Sequence, residues 1–175
     1  MVITGLRIPN KFFITKGVGE SPNTHHAGSY HLALCDAGIE TQNIMTYSSI
    51  LPKEAEEIDR PAAPLCFGAV MECIISQCDG LKDETLSAGI AYAWLYDDED
   101  NKVGGVVVER SGGHDEESLI EILNKSINEL KNKSFSKLRM DEPNYITQTF
   151  VPTEQYGTAL VAICFVSHIW PVINE

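Results

Sequence analysis

The chain has 175 residues, 43% of them hydrophobic and 22% charged, with a formal net charge of −12. That length suits one domain, residues 1–175, able to bury most of its apolar surface without disulfides or metal. The negative balance argues against nucleic acid or an anionic membrane surface as partner and mildly favours a cationic small molecule.

In chain order, residues 11–18, with Phe12, Phe13 and Ile14, predict a strand. Residues 17–28 are rich in Gly, Ser, Pro and Asn and predict a loop. Its glycine spacing matches no phosphate-binding fingerprint, and the adjacent His25 and His26 read as a solvated pair. Ser29 can cap a short helix that ends at Ala37 and stops at Gly38. Tyr30, Ala33, Leu34 and Ala37 would line one face of it, and His31 and Cys35 another.

Residues 42–47 predict a strand, and 52–64 a polar connection with Glu54, Glu56 and Glu57 as a solvated face. A strand over 65–76 (Phe67, Val70, Ile74, Ile75) and a turn over 77–83 follow. Residues 85–96 predict a strand whose Ser87, Ala88 and Gly89 leave room for another backbone. The acidic turn 97–102 lacks the glycine and distal glutamate of a calcium loop, and joins that strand to 103–109 as a hairpin. Residues 114–133 form the clearest helix, striped by Leu119, Ile122, Leu123, Ile127 and Leu130, with acids first and lysines last. Strands over 144–151 and 158–166 close the chain. Two helices among many strands predict two sheets packed together with a helix on each outer face.

Five cysteines (Cys35, Cys66, Cys73, Cys78, Cys164), most inside apolar runs and without C-x-x-C spacing, read as buried free thiols rather than a zinc site. They suggest a reducing compartment. The first residues lack the basic start and apolar core of a signal peptide, and no stretch is apolar enough to span a membrane; a cytoplasmic protein is expected.

The most informative stretch is Thr46-Tyr47-Ser48-Ser49-Ile50-Leu51-Pro52, where a strand ends abruptly in two serines. Taken alone, Ser48 and Ser49 read as turn residues whose hydroxyls bond nearby backbone. The other reading makes their peptide bond a reaction site. A hydroxyl pressed against the preceding carbonyl converts the amide to an ester, β-elimination leaves a dehydroalanine, and hydrolysis leaves a pyruvoyl group. That requires a tight turn and donors for the tetrahedral oxygen; Pro52 stiffens the exit.

Around it, Gly17-Val18-Gly19-Glu20-Ser21, Tyr30-His31-Leu32-Ala33-Leu34, Ala37-Gly38-Ile39 with Asn43, and Ser48-Ser49-Ile50-Leu51-Pro52-Lys53-Glu54 follow in close order. This set resembles the pyruvoyl-dependent arginine decarboxylases across nearly the whole chain. The resemblance implies a four-layer α/β/β/α sandwich with two mostly antiparallel sheets, and a trimer, or a dimer of trimers, with active sites between subunits. It implies self-cleavage between Ser48 and Ser49 into chains 1–48 and 49–175, and a Schiff base between the substrate amine and a pyruvoyl group made from Ser49. Arginine would then yield agmatine and carbon dioxide with neither metal nor pyridoxal phosphate.

The family's proton donor falls on Glu109, after the apolar Val106-Val107-Val108, where desolvation would hold a carboxyl protonated. On its own, a strand-end glutamate also reads as a solvated charge. Asn43 matches the active-site asparagine, although an asparagine there can also end a turn. His31 stands where the family carries an aspartate associated with the arginine guanidinium. A histidine cannot reproduce that charge-assisted contact. Glu20 is the candidate for the missing charge; alternatively the substrate is another amino acid, or the chain is an unprocessed, non-catalytic trimeric binding homologue.

Overall fold

The computed structural model describes residues 3–60 and 64–173. Its strands are β1 (Ile3–Thr4), β2 (Ile8–Pro9), β3 (Lys11–Ser21), β4 (Asn43–Thr46), β5 (Ile50–Pro52), β6 (Glu56–Glu57), β7 (Val70–Leu81), β8 (Leu86–Tyr96), β9 (Lys102–Gly112), β10 (Arg139–Met140), β11 (Asn144–Phe150), β12 (Tyr156–Phe165), β13 (His168–Ile169) and β14 (Val172–Ile173). A π-helical turn, His25–Tyr30, runs into α1 (His31–Ala37), and α2 spans Glu116–Ser134. The chain is mixed α and β, mostly strand. One five-stranded sheet has the order β4-β7-β12-β3-β6; the other has β10-β8-β9-β5 with β11 also on β8. Within them only β3–β6 and β4–β7 are parallel. Two short ladders, β1–β14 and β2–β13, join the ends of the chain.

The period of two in the central strands explains the packing. On β12, Ala159, Val161, Ile163 and Phe165 enter a cluster shared with Ala88, Ile90 and Tyr92 of β8 and Val107 of β9, so both five-stranded sheets contribute to it. The alternate residues Leu160, Ala162 and Cys164 pack with Ala33, Leu34 and Ala37 of α1. A strand buried on both faces reads as one continuous apolar run, as residues 159–166 do. On the second sheet, Ala91, Ala93, Leu95, Val106 and Val108 meet Leu119, Leu123 and Ile127 of α2.

Those three α2 residues recur every four positions, and all are fully buried. Burying each contributes about 1.5–3 kcal/mol. Asp115 caps the helix by accepting from the Ser118 N–H at 2.8 Å. Gly17 and Gly19 have a packing role: a Cβ on Gly17 would overlap the Ala33 carbonyl of α1, and one on Gly19 would overlap the Ala33 amide of α1 and the Ser29 carbonyl just before it, so α1 can sit on β3 only where the strand lacks side chains. Gly38 ends α1 at φ +67°, as its residue type predicts.

Several expectations need correction. Residues 17–21 are strand, because β3 keeps pairing with β12 up to Ser21↔Tyr156. The strand expected over 65–76 begins at Val70 and continues through the expected turn to Leu81, because β12 pairs with it to Leu81↔Tyr156. Phe67 is 90% exposed, outside any strand. β9 likewise runs past Glu109 to Gly112, opposite Ser87. Ser29 is not a cap: the helical path begins at His25, and Ser29 lies inside it, buried, with its hydroxyl 2.9 Å from that of Thr158. At Gly89 it is the Leu119 and Leu123 side chains, not a backbone, that fill the space.

Residues 52–64 are not wholly a solvated connection. Ala55 is buried, and Glu57 accepts the Tyr92 hydroxyl at 2.8 Å. All five cysteines are free, but Cys35 and Cys66 are exposed, Cys35 because it faces outward from α1. Pro61, Ala62 and Ala63 of that connection lie outside the described residues. Among the described residues, no helix is long and apolar enough to cross a membrane.

Candidate active site

Ser48 and Ser49 occupy the place where the chain crosses from one five-stranded sheet to the other. The Tyr47 N–H donates to the Cys73 carbonyl at 2.8 Å, the last backbone bond to the first sheet. The Ser49 carbonyl accepts from the Val107 N–H of the second sheet at 3.0 Å. Between them the Ile50 N–H donates to the Ser48 carbonyl at 2.9 Å, closing a three-residue turn centred on Ser49. The carbonyl of the Ser48–Ser49 bond is thus already polarised by a backbone donor.

The Ser49 hydroxyl donates its proton to the Glu109 carboxylate, 2.7 Å from Oε1 and 2.8 Å from Oε2. Glu109 lies on β9 two residues beyond Val107, hence on the same side of the strand. The register Ile50↔Val106 fixes its distance from the serine turn. Both residues are half-buried. A charge-assisted O–H···O⁻ bond of this length is strong and holds the hydroxyl in one orientation.

Two open cavities meet at Glu109. One, about 400 Å³, is lined by Ser49, Glu109 and Arg110 and by Ser126, Glu129 and Lys133 of α2. The other, about 560 Å³, includes Thr46, Ser76, Gln77, Glu109 and Arg110. The Arg110 guanidinium donates to the Glu109 backbone carbonyl at 2.8 Å. The arrangement offers a hydroxyl nucleophile, a carboxylate to take its proton and an N–H to receive charge on the carbonyl oxygen.

The remaining sequence candidates are engaged elsewhere. Asn43 is exposed and its side-chain amide donates to the Gly68 carbonyl at 2.9 Å. His31 is exposed at the first position of α1. Glu20 sits on β3, and its carboxylate accepts from the Glu154 N–H at 3.0 Å, the Thr153 N–H, and the Thr153 hydroxyl at 3.0 Å. The Glu154 and Thr153 backbone donors hold that carboxyl below the usual glutamate range. Sequence reasoning missed the Ile50 N–H, which leaves no trace in residue identity. It also missed Arg110, the residue next to Glu109, and Gln77, two residues past Ile75 on the same strand. No group of three or more His, Cys, Asp or Glu is arranged to hold a metal among the described residues.

A family model described as pyruvoyl-dependent arginine decarboxylase matches residues 11–169. The chain is 42% identical over 72 residues to pyruvoyl-dependent arginine decarboxylase 1 of Archaeoglobus fulgidus, covering 40% of this chain and 45% of that protein. It is 34% identical over 117 residues to pyruvoyl-dependent arginine decarboxylase AaxB of Chlamydia pneumoniae, covering 60% of each. With the pyruvoyl-dependent arginine decarboxylase of Methanopyrus kandleri it shares 26% identity over 161 residues, 90% of this chain and 97% of the other. The matched stretch therefore spans about half the length of the first two relatives and nearly all of the third.

Proposed function

The chain belongs to the pyruvoyl-dependent arginine decarboxylase family, and from that premise we propose that it cleaves itself between Ser48 and Ser49 and then decarboxylates L-arginine to agmatine. The observation that carries this reading is the Ser49 hydroxyl bonded to both oxygens of Glu109 within a turn whose Ile50 N–H already donates to the Ser48 carbonyl.

In the processing step, Glu109 takes the Ser49 hydroxyl proton as the oxygen attacks the Ser48 carbonyl carbon. The Ile50 N–H receives the developing negative charge. The C–N bond breaks, the nitrogen takes a proton, and an ester joins Ser48 to the residue 49 side chain. Loss of the residue 49 α-proton expels the Ser48 carboxylate and leaves a dehydroalanine. Water then displaces its nitrogen as ammonia, and residue 49 becomes the pyruvoyl end of chain 49–175.

The residues present fit such a group: position 49 borders an open cavity, with a carboxyl in contact. When in place, the keto group supplies an electron sink for the bond to the departing carboxylate. Glu109, held at position 49, delivers a proton to the substrate Cα afterwards. Asn43 donates at the oxyanion or substrate carboxylate once released from Gly68, and in this reading His31 and Glu20 take the far end of the substrate.

The same reading takes the fold as one domain in a four-layer α/β/β/α sandwich, supported by one cluster shared between the two sheets and one beneath each helix. It takes the assembly as a trimer whose neighbouring subunits complete each site. Exposed Met45, Phe67 and Val70 around the edge strand β4 support such a contact. A cytoplasmic location accords with five free cysteines.

Because His31 replaces an acid, a second substrate is a specific rival. Carbon dioxide release from arginine, aspartate, histidine and ornithine decides between them. Release from arginine alone, abolished by Ser49→Ala, is the expected result. Release from another amino acid in preference to arginine overturns the substrate, and no release from any of them favours a non-catalytic homologue.

A further inference from the structure

The two cavities that meet at Glu109 differ in what else they reach. The smaller opens onto Ser49, and the larger runs back to Thr46 at the end of β4. Ser48 stands between those two residues, so the bond at the turn is bracketed by the two cavities. Besides Glu109, one residue lines both: Arg110. Apart from this pair, the larger cavity is lined by uncharged residues, among them Thr46, Ser76 and Gln77.

Arg110 is held at the chain crossing from two directions. The buried Ser76 hydroxyl donates to its backbone carbonyl at 2.7 Å. Its guanidinium donates to the Glu109 carbonyl at 2.8 Å. That carbonyl lies on the edge of β9 from which the Val107 N–H reaches Ser49, two residues or about 7 Å further along. β5 pairs along this edge only as far as Ile50↔Val106, so the guanidinium occupies the edge just beyond the serine turn. Of its five N–H groups, one is used among the described residues. The other cation of the smaller cavity, Lys133, is already paired with Glu129 one turn earlier on α2.

Self-cleavage changes the charge at this point. The Ser48–Ser49 amide is neutral, whereas β-elimination leaves Ser48 as a carboxylate. It forms beside Glu109, whose oxygens lie 2.7 and 2.8 Å from the Ser49 hydroxyl. Two like charges so close repel, and a carboxylate left in the smaller cavity obstructs the approach of substrate to position 49. A guanidinium fork matches a carboxylate in shape as well as charge. We propose that Arg110 is the counter-ion of the Ser48 carboxylate: it draws the new end of chain 1–48 towards the larger cavity and leaves the smaller one to the substrate. This positioning role rests on the self-cleavage reading.

The test compares Arg110→Met in two backgrounds, the self-cleaved protein and the uncleavable Ser49→Ala chain. In the cleaved protein the substitution should lower the urea midpoint at which fragment 1–48 is released. Arg110→Lys should restore most of the loss, and high salt should shrink it, since an exposed ion pair is screened. The KM for arginine should rise about two- to fivefold in cleaved Arg110→Met, the worth of one exposed ion pair, with a smaller change in kcat. In the Ser49→Ala chain, where the amide is intact, Arg110→Met should leave the midpoint where it was. An equal fall in both backgrounds makes Arg110 a structural residue and overturns the proposal, as does no fall in either. Failure of Arg110→Met to cleave, while its Ser49→Ala counterpart folds normally, places Arg110 before the break and overturns it too. A parent chain that stays intact instead removes the self-cleavage reading itself, together with the carboxylate that Arg110 would hold.

Discussion

Ser49 and Glu109 are sixty residues apart in the chain and share one proton in the fold. Replacing Glu109 by Gln leaves a weaker acceptor for the serine proton and no acid for the product carbon. Cleavage of Glu109→Gln should therefore slow, and turnover of whatever is cleaved should fall by about 100-fold or more, the usual contribution of a positioned acid or base. Densitometry of the cleaved fraction over time, with carbon dioxide release per cleaved site, measures the two effects separately. Parent-level turnover would remove Glu109 from its role as proton donor.

Glu20 behaves differently. Its folded-state carboxyl is depressed by backbone donors, so the stability it contributes is present above the unfolded glutamate value of about 4.3 and is lost as pH falls through the lower folded value. Glu20→Gln should flatten that acid limb in denaturant melts between about pH 5 and pH 3 while leaving Ser48–Ser49 cleavage intact. An unchanged limb would show the turn contact to be unimportant. Ser49 and Glu109 could be singled out in the sequence only through the family resemblance, and the fold brings their side chains into contact. The Ile50 donor could not be, since any residue but proline supplies a backbone N–H.

At the scale of elements, α1 lies directly on the glycines of β3 and α2 inserts a leucine–isoleucine stripe into the second sheet. Gly19→Ala places a methyl group against the Ser29 carbonyl and should cost about 1–3 kcal/mol as overpacking. Leu123→Ala should cost about 2–5 kcal/mol through the cavity it leaves. Urea melts of the two variants check both; a Gly19→Ala protein as stable as the parent would mean that α1 does not sit on β3 as described.

The helices were legible because their period and stops are local. Gly38 ended α1, and Leu119, Leu123 and Ile127 marked the buried face of α2. The strand ends were not. β7 continues through Gln77, Asp79 and Gly80 because β12 lies alongside, a pairing with a partner some eighty residues away that local propensity cannot report. Glu20, in a stretch whose composition predicts a loop, is strand for the same reason, its partner Gly157 lying far along the chain. The Gly-x-Gly pair of β3 serves helix packing.

At the scale of the whole molecule, the Ser48–Ser49 bond is the crossing point between two sheets that share a core cluster. Breaking it leaves β3 and β4 hydrogen-bonded in the first sheet and β5 bonded in the second, so neither fragment loses its partners. The two pieces should co-elute in size exclusion and separate only in denaturant. Elution of the short fragment alone would contradict the shared-core account.

The most direct measurement is the intact mass of freshly purified protein under denaturing conditions. Two species are predicted: residues 1–48 ending in a free carboxylate, and residues 49–175 lighter by one ammonia than simple hydrolysis would leave. A single uncleaved polypeptide in material that decarboxylates amino acids, or a second fragment that begins with an ordinary serine, would contradict it.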